Sequence, residues 1–210
     1  MKKILYSSLV LAVCFCSCKK DKDASPTPTP SSPAAATNYF PLSVGSYWIY
    51  DTYNLDTNGV ETYVSTDSCY ISNDTIIGGN TYSVFHASLI FPTNVYYRRD
   101  SSGYLVDQAG LIYFSNTNFT DTLRYDSLPG YYSGFGKMTS PSTTVSVPAG
   151  TFSVYDFMHT TTVLTAGYAW ENPRITHHYY ADGVGVVRET LFFLSAPGYV
   201  GRKLVRYSVL

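Results

Sequence analysis

Turn signals divide this chain at short, regular intervals, and that spacing restricts its fold more than any other feature. "DTNG" (56–59), "GGN" (78–80), "DSSG" (100–103), Ala109-Gly110, "PAG" (148–150), "ADGVG" (181–185) and "APG" (196–198) each interrupt a run of strand-forming residues. Asn-Gly between β-prone runs is the strongest short hairpin signal. Within the runs side chains alternate, so that Trp48 and Tyr50 share one face of a strand while Tyr47 and Ile49 share the other. Beyond residue 38 no window sustains the 3.6-residue apolar period of a helix. The chain carries 21 Tyr and only 14% charged residues, a composition whose hydroxyls can solvate the outer face of a sheet. The expectation is an all-β domain of about nine to eleven short antiparallel strands. Two stretches interrupt it as expected loops, 116–142, where "LPGYYSGFGKMTSPS" carries several glycines and prolines, and 166–173.

Ahead of the domain lie two segments of different character. Lys2 and Lys3 precede the apolar run "ILYSSLVLAVCFC", which has the charge and length of a secretory leader and is shorter than a bilayer span. Cys18 follows small Ser17 and precedes polar Lys19. This junction resembles the bacterial lipoprotein signal, in which the cysteine after a small residue is lipidated and becomes the mature N-terminus. Phe15 departs from the aliphatic residue usual three positions before that cysteine. Residues 1–17 are then a signal peptide, and Cys14 and Cys16 leave with it. A metal cluster of Cys14, Cys16 and Cys18 would need a folded shell of further ligands. The segment that follows cannot supply one. Residues 18–37 comprise the lipidated cysteine and a Pro/Thr/Ser tether with no large apolar side chain to bury. In polyproline II form that tether reaches at most roughly 60 Å.

Residues 38–210 form a single domain long enough to bury its own core. It holds nine Lys and Arg against thirteen Asp and Glu, a net charge of −4. That balance argues against a nucleic-acid partner, since such binding rests on basic phosphate contacts. Cys69 is the one cysteine left for the domain, so no internal disulfide forms, and its place in "TDSCYIS" points to a buried structural thiol.

Three stretches carry a resemblance: Pro41-Leu42-x-x-Gly45-x-x-Trp48-x-Tyr50, "VPAGTFSVY" (147–155) and "YYADGVGVVRE" (179–189). Together they resemble a broad group of lipid-anchored envelope lipoproteins of the Bacteroidota, of unknown function. The resemblance implies a single curved antiparallel sheet or partial barrel, a lipid anchor in the cell envelope at the outer membrane, and no catalytic residues. Acidic residues after the lipidated cysteine resemble surface-export signals of such proteins, but here Lys19, Lys20 and Lys22 interrupt Asp21 and Asp23. Periplasmic and surface-facing placements both stay open. "DTI" (74–76), "DTL" (121–123) and "DSL" (126–128) resemble O-glycosylation acceptors of the same bacteria, with Thr75, Thr122 and Ser127 as candidate sites.

Motifs of catalysis are missing from the sequence. "GYYSG" (130–134) lacks the spacing of a nucleophile elbow, and "GVG" (183–185) lacks the third glycine of a dinucleotide site. His177 and His178 point to opposite faces of a regular strand, as do Asp156 and His159, so neither pair meets the spacing of a zinc site. Asp56, Asn58 and Glu61 fall short of a calcium loop and fit a hairpin turn. No cofactor is expected. The leading expectation is a non-enzymatic binding or structural module with the membrane as its partner through the N-terminal lipid. The concave side of the sheet could hold an apolar ligand, lined by Trp48, Phe85, Phe91, Phe114, Phe152 and Phe157, although the same aromatics would serve as plain core. The alternative is a surface glycan-binding module that stacks sugars on Tyr131 and Tyr132 of "GYYSGFG". A hydrolase built on paired carboxylates is a third class, defined by separations that only a structure supplies.

Overall fold

The computed structural model describes residues 35–88 and 94–210, without the side chains of 140–142. The leader, Cys14, Cys16, Cys18, most of the tether and Phe91 lie outside the described residues. One short helix, α1 (Ala36–Tyr39), precedes twelve strands. These are β1 (Tyr47–Leu55), β2 (Glu61–Ile77), β3 (Asn80–Ala87), β4 (Asn94–Ser101), β5 (Tyr104–Val106), β6 (Ile112–Ser115), β7 (Arg124–Leu128), β8 (Tyr132–Val147), β9 (Gly150–Val163), β10 (Arg174–Ala181), β11 (Gly185–Leu191) and β12 (Tyr199–Ser208).

All twelve form one antiparallel sheet in the order β6-β5-β4-β3-β2-β1-β12-β11-β10-β9-β8-β7. Consecutive strands pair throughout except β6 with β7, and the first strand pairs with the last, Tyr47 opposite Ser208. The meander is therefore sealed at its termini and open mid-chain, a nearly closed barrel whose free edges are β6 and β7. Side chains close part of that gap: the Ser115 amide reaches Met138 Sδ at 3.4 Å, and the Arg124 guanidinium lies 4.9 Å from the Tyr113 ring centre.

The curved antiparallel sheet expected from the resemblance is present, with twelve strands where nine to eleven were expected. The surplus comes from the stretch read as a loop. Residues 124–147 form β7 and all of β8, joined by a turn at Pro129-Gly130. Gly134 and Gly136 are strand residues, not turn residues. A Cβ on Gly136 would stand 2.5 Å from Phe157 Cζ, and one on Gly134 would stand 2.7 Å from Asp126 Oδ1 and 2.8 Å from His159 Cε1. These glycines make room for large side chains of the neighbouring strands. Several strands are also longer than expected, with 17 residues in β2 and 16 in β8, because bulges let them bend around the barrel.

The three stretches that carry the resemblance lock the barrel together. Trp48 donates from Nε1 to the Val184 carbonyl at 2.6 Å, and Tyr50 donates its hydroxyl to the Val186 carbonyl at 2.7 Å. Gly185, at φ +107°, has Trp48 Nε1 only 3.2 Å from where its Cβ would be, so both its conformation and its clearance require glycine. Gly45 accepts the same constraint at φ +92° and bonds its amide to the Ile71 carbonyl at 2.9 Å. The Ala149 amide of the "PAG" turn bonds to the Leu204 carbonyl at 3.0 Å. Both core clusters draw on residues from Ala36 onward, one centred on Trp48, Ile71, Val187 and Leu204, the other on Phe40, Phe114, Met138 and Phe157.

Candidate functional site

Between the two cores the barrel holds a cavity of about 310 Å³, partly open to solvent and within the lower range of small-ligand sites. Among the described residues every strand except β8 contributes a side chain to its wall. The exception has a physical cause, since two inward positions of β8 are the glycines that admit Phe157 and His159. One part of the wall is apolar, made by Phe40, Trp48, Phe85, Leu105, Phe157 and Val186. The rest carries Arg98, Arg124, Arg202, Glu189, His159 and His178.

Of the residues expected to line a cavity, Trp48, Phe85 and Phe157 do so. Phe114 and Phe152 do not. Phe114 is fully buried, stacked on Tyr39 and tilted against Tyr180, with ring centres 4.9 and 4.7 Å away. Phe152 sits near the β8–β9 turn and meets the Tyr207 ring at 6.3 Å. Both pack within the core clusters instead of at the cavity wall. Phe91 lies outside the described residues. Tyr131 is 54% exposed at the β7–β8 turn, whereas Tyr132 is the half-buried first residue of β8 and not part of a loop. Ser127 is exposed, and Thr75 and Thr122 are half-buried.

The polar side of the wall consists of three linked groups. In the first, Arg202 of β12 donates to Glu189 Oε1 at 2.5 Å and to Cys69 Sγ at 3.2 Å, and its guanidinium carbon lies 4.3 Å from the centre of the Tyr50 ring. His178 Nε2 stands 3.4 Å from Glu189 Oε2, and its Nδ1 has no hydrogen-bond partner. Burial holds the His178 imidazole below its ordinary pKa, with Arg124 and His159 adding to the effect and Glu189 opposing it. Burial likewise raises the Cys69 thiol, so it stays protonated as a structural group.

The second group is Arg124, Asp126 and His159. Arg124 Nη2 bonds to Asp126 Oδ2 at 3.1 Å, and His159 Nε2 lies 2.8 Å from Asp126 Oδ1. His159 Nδ1 lies 3.2 Å from Thr161 Oγ1, so a neutral imidazole donating to Asp126 and accepting from Thr161 satisfies both ring nitrogens.

The third group centres on Tyr113. Its ring carries Arg98 at 3.8 Å and Arg124 at 4.9 Å from the centroid. Its hydroxyl donates to Asp107 Oδ2 at 3.1 Å, and burial raises its pKa. Asp107 Oδ1 accepts from the Ala109 and Leu111 amides, both at 2.9 Å, closing the β5–β6 turn. Arg98 differs from the other two arginines. It bonds to the Tyr97 carbonyl at 3.0 Å, and among the described residues no carboxylate lies within 4 Å of it.

None of these polar wall residues was singled out from the sequence as a ligand contact, although a signal existed. Glu189 falls between Val187 and Leu191, Arg202 between Val200 and Leu204, and His178 between Thr176 and Tyr180. Each keeps the period-two phase of inward-facing residues. His177 does point outward, where its Nδ1 meets Asp156 Oδ2 at 2.8 Å.

No family model and no curated protein matches this chain. Two solved chains align with it. One, described as an exported protein with a YmcC-like fold from Bacteroides fragilis NCTC 9343, has 15% sequence identity and a TM-score of 0.49, over 81% of this chain and 98% of the other. The second, described as a lipoprotein from Parabacteroides distasonis ATCC 8503, has 12% identity and a TM-score of 0.49 over the same shares.

Proposed function

We propose that the protein is a non-enzymatic lipoprotein of the cell envelope, anchored at the outer membrane through Cys18, whose barrel holds a small, largely apolar ligand. The cavity of about 310 Å³, walled by Trp48, Phe85, Leu105 and Phe157, is the observation that carries the binding role. A packed barrel of this size would ordinarily fill its interior with side chains, and unfilled apolar space costs stability unless something occupies it. The anchor rests on the basic, apolar leader and the Ser17-Cys18 junction. Native mass spectrometry of the protein taken from its own membranes tests both parts. The reading expects a mature chain beginning at a lipid-modified Cys18 and a small non-covalent adduct. An unmodified N-terminus removes the anchor. A chain that carries no adduct and takes up no apolar probe removes the binding role.

Glycan recognition is the second reading, supported by Tyr131 and Tyr125, which are 54% and 73% exposed along the free β7 edge. A glycan array with Tyr131→Ala and Tyr132→Ala controls tests it. Binding that ignores both substitutions, or no binding, counts against it.

A further inference from the structure

The cavity wall is not electrically balanced. Arg202 has Glu189, and Arg124 has Asp126, each at hydrogen-bond distance. Asp107, which the Tyr113 hydroxyl reaches, has both its oxygens taken, one by two backbone amides and the other by that hydroxyl. Arg98 is left with a single carbonyl partner while only 9% of it is exposed. A buried cation without a counter-charge is costly, and a cavity is where a ligand can supply one. The guanidinium carbon lies 3.8 Å from the Tyr113 ring centre, and among the described residues only its Nη1 has a hydrogen-bond partner, so the other donors can meet a planar acceptor.

We propose that the ligand is a monoanionic amphiphile, with its carboxylate-like head on Arg98 beside Tyr113 and its apolar body against Trp48, Phe85 and Phe157. This rests on the binding role proposed above and names the ligand class for the same cavity. One unmatched cation favours a single negative charge over a doubly charged head. The volume equals that of about ten liquid waters, which fits a body of about ten non-hydrogen atoms.

The test uses the full chain in dodecyl maltoside, titrated with octanoate, octan-1-ol and octylammonium, with quenching of tryptophan fluorescence as readout. Octanoate is expected to bind at least about tenfold more tightly than octanol, as a charge-assisted hydrogen bond provides. Arg98→Met should bring octanoate down to the level of octanol, with circular dichroism showing that the variant is folded. Arg98→Lys, which keeps the charge, should retain part of the preference. Octanol or octylammonium binding as tightly as octanoate overturns the anionic class while leaving the apolar cavity in place. An octanoate preference that survives Arg98→Met overturns the role of Arg98. If none of the three binds, the binding role itself fails.

Discussion

Glu189→Leu is the perturbation whose cost the structure fixes most closely. The Arg202 side chain is 4% exposed, and Glu189 is its carboxylate partner at 2.5 Å. Burial opposes the charge on Arg202, and Glu189 is the main influence that holds it in place. Removing the carboxylate leaves a guanidinium whose other contacts are the Cys69 thiol and the Tyr50 ring. Breaking a buried pair in this way costs about 3–5 kcal/mol. For a domain of this length that corresponds to a fall in melting temperature of roughly 6–20 °C. Replacing both partners, as in Glu189→Leu with Arg202→Met, removes the orphaned charge and should restore more than half of the loss. Thermal and urea unfolding of the wild type, both single variants and the double variant provide the complete cycle. A Glu189→Leu loss below about 1 kcal/mol, against the cost expected of an orphaned buried charge, would refute the argument, because water in the cavity would then be solvating Arg202. A double variant as unstable as the sum of the singles would refute it equally.

Four further outcomes are expected. Gly136→Ala should destabilise by about 1–3 kcal/mol, since its Cβ would stand 2.5 Å from Phe157 Cζ, and chemical denaturation measures it. Trp48→Phe should cost about 1–3 kcal/mol by leaving the Val184 carbonyl without its donor, again read by denaturation. Cys69 should resist a thiol reagent in the native protein and react on unfolding, because it is buried with a raised pKa. Stability should fall on acidification below pH ~6.5, the ordinary histidine pKa. Burial depresses His178 in the folded state, so the unfolded chain binds the proton first, and the contribution present above that pH is lost as pH falls through the folded value. His178→Gln should flatten that part of a plot of urea midpoint against pH.

The barrel was legible in the sequence where local chemistry dictates it. Asp56 to Gly59 makes the β1–β2 turn, with the Asp56 carboxylate accepting from the Asn58 and Val60 amides at 2.8 Å. The alternation at Trp48 and Tyr50 placed both rings inward. The same local logic failed at Gly134 and Gly136. Glycine reads as a turn signal in isolation, and its use here, as clearance for side chains from a strand some twenty residues away, has no local mark. The polar wall was hidden for a related reason. Arg98, Arg124, Glu189 and Arg202 stand on four strands spread along the domain, and only barrel closure brings them to one cavity. A charged residue on a strand ordinarily faces solvent, so their inward phase carried meaning only once the partners were known.

The most direct test of a ligand-holding barrel is native mass spectrometry of the protein purified from its own cells, beside an Ala87→Phe variant that fills the cavity from its wall. The account predicts one small anionic adduct on the native chain and none on the variant, with both chains folded. A native chain at its bare mass that takes up neither octanoate nor octanol would contradict it.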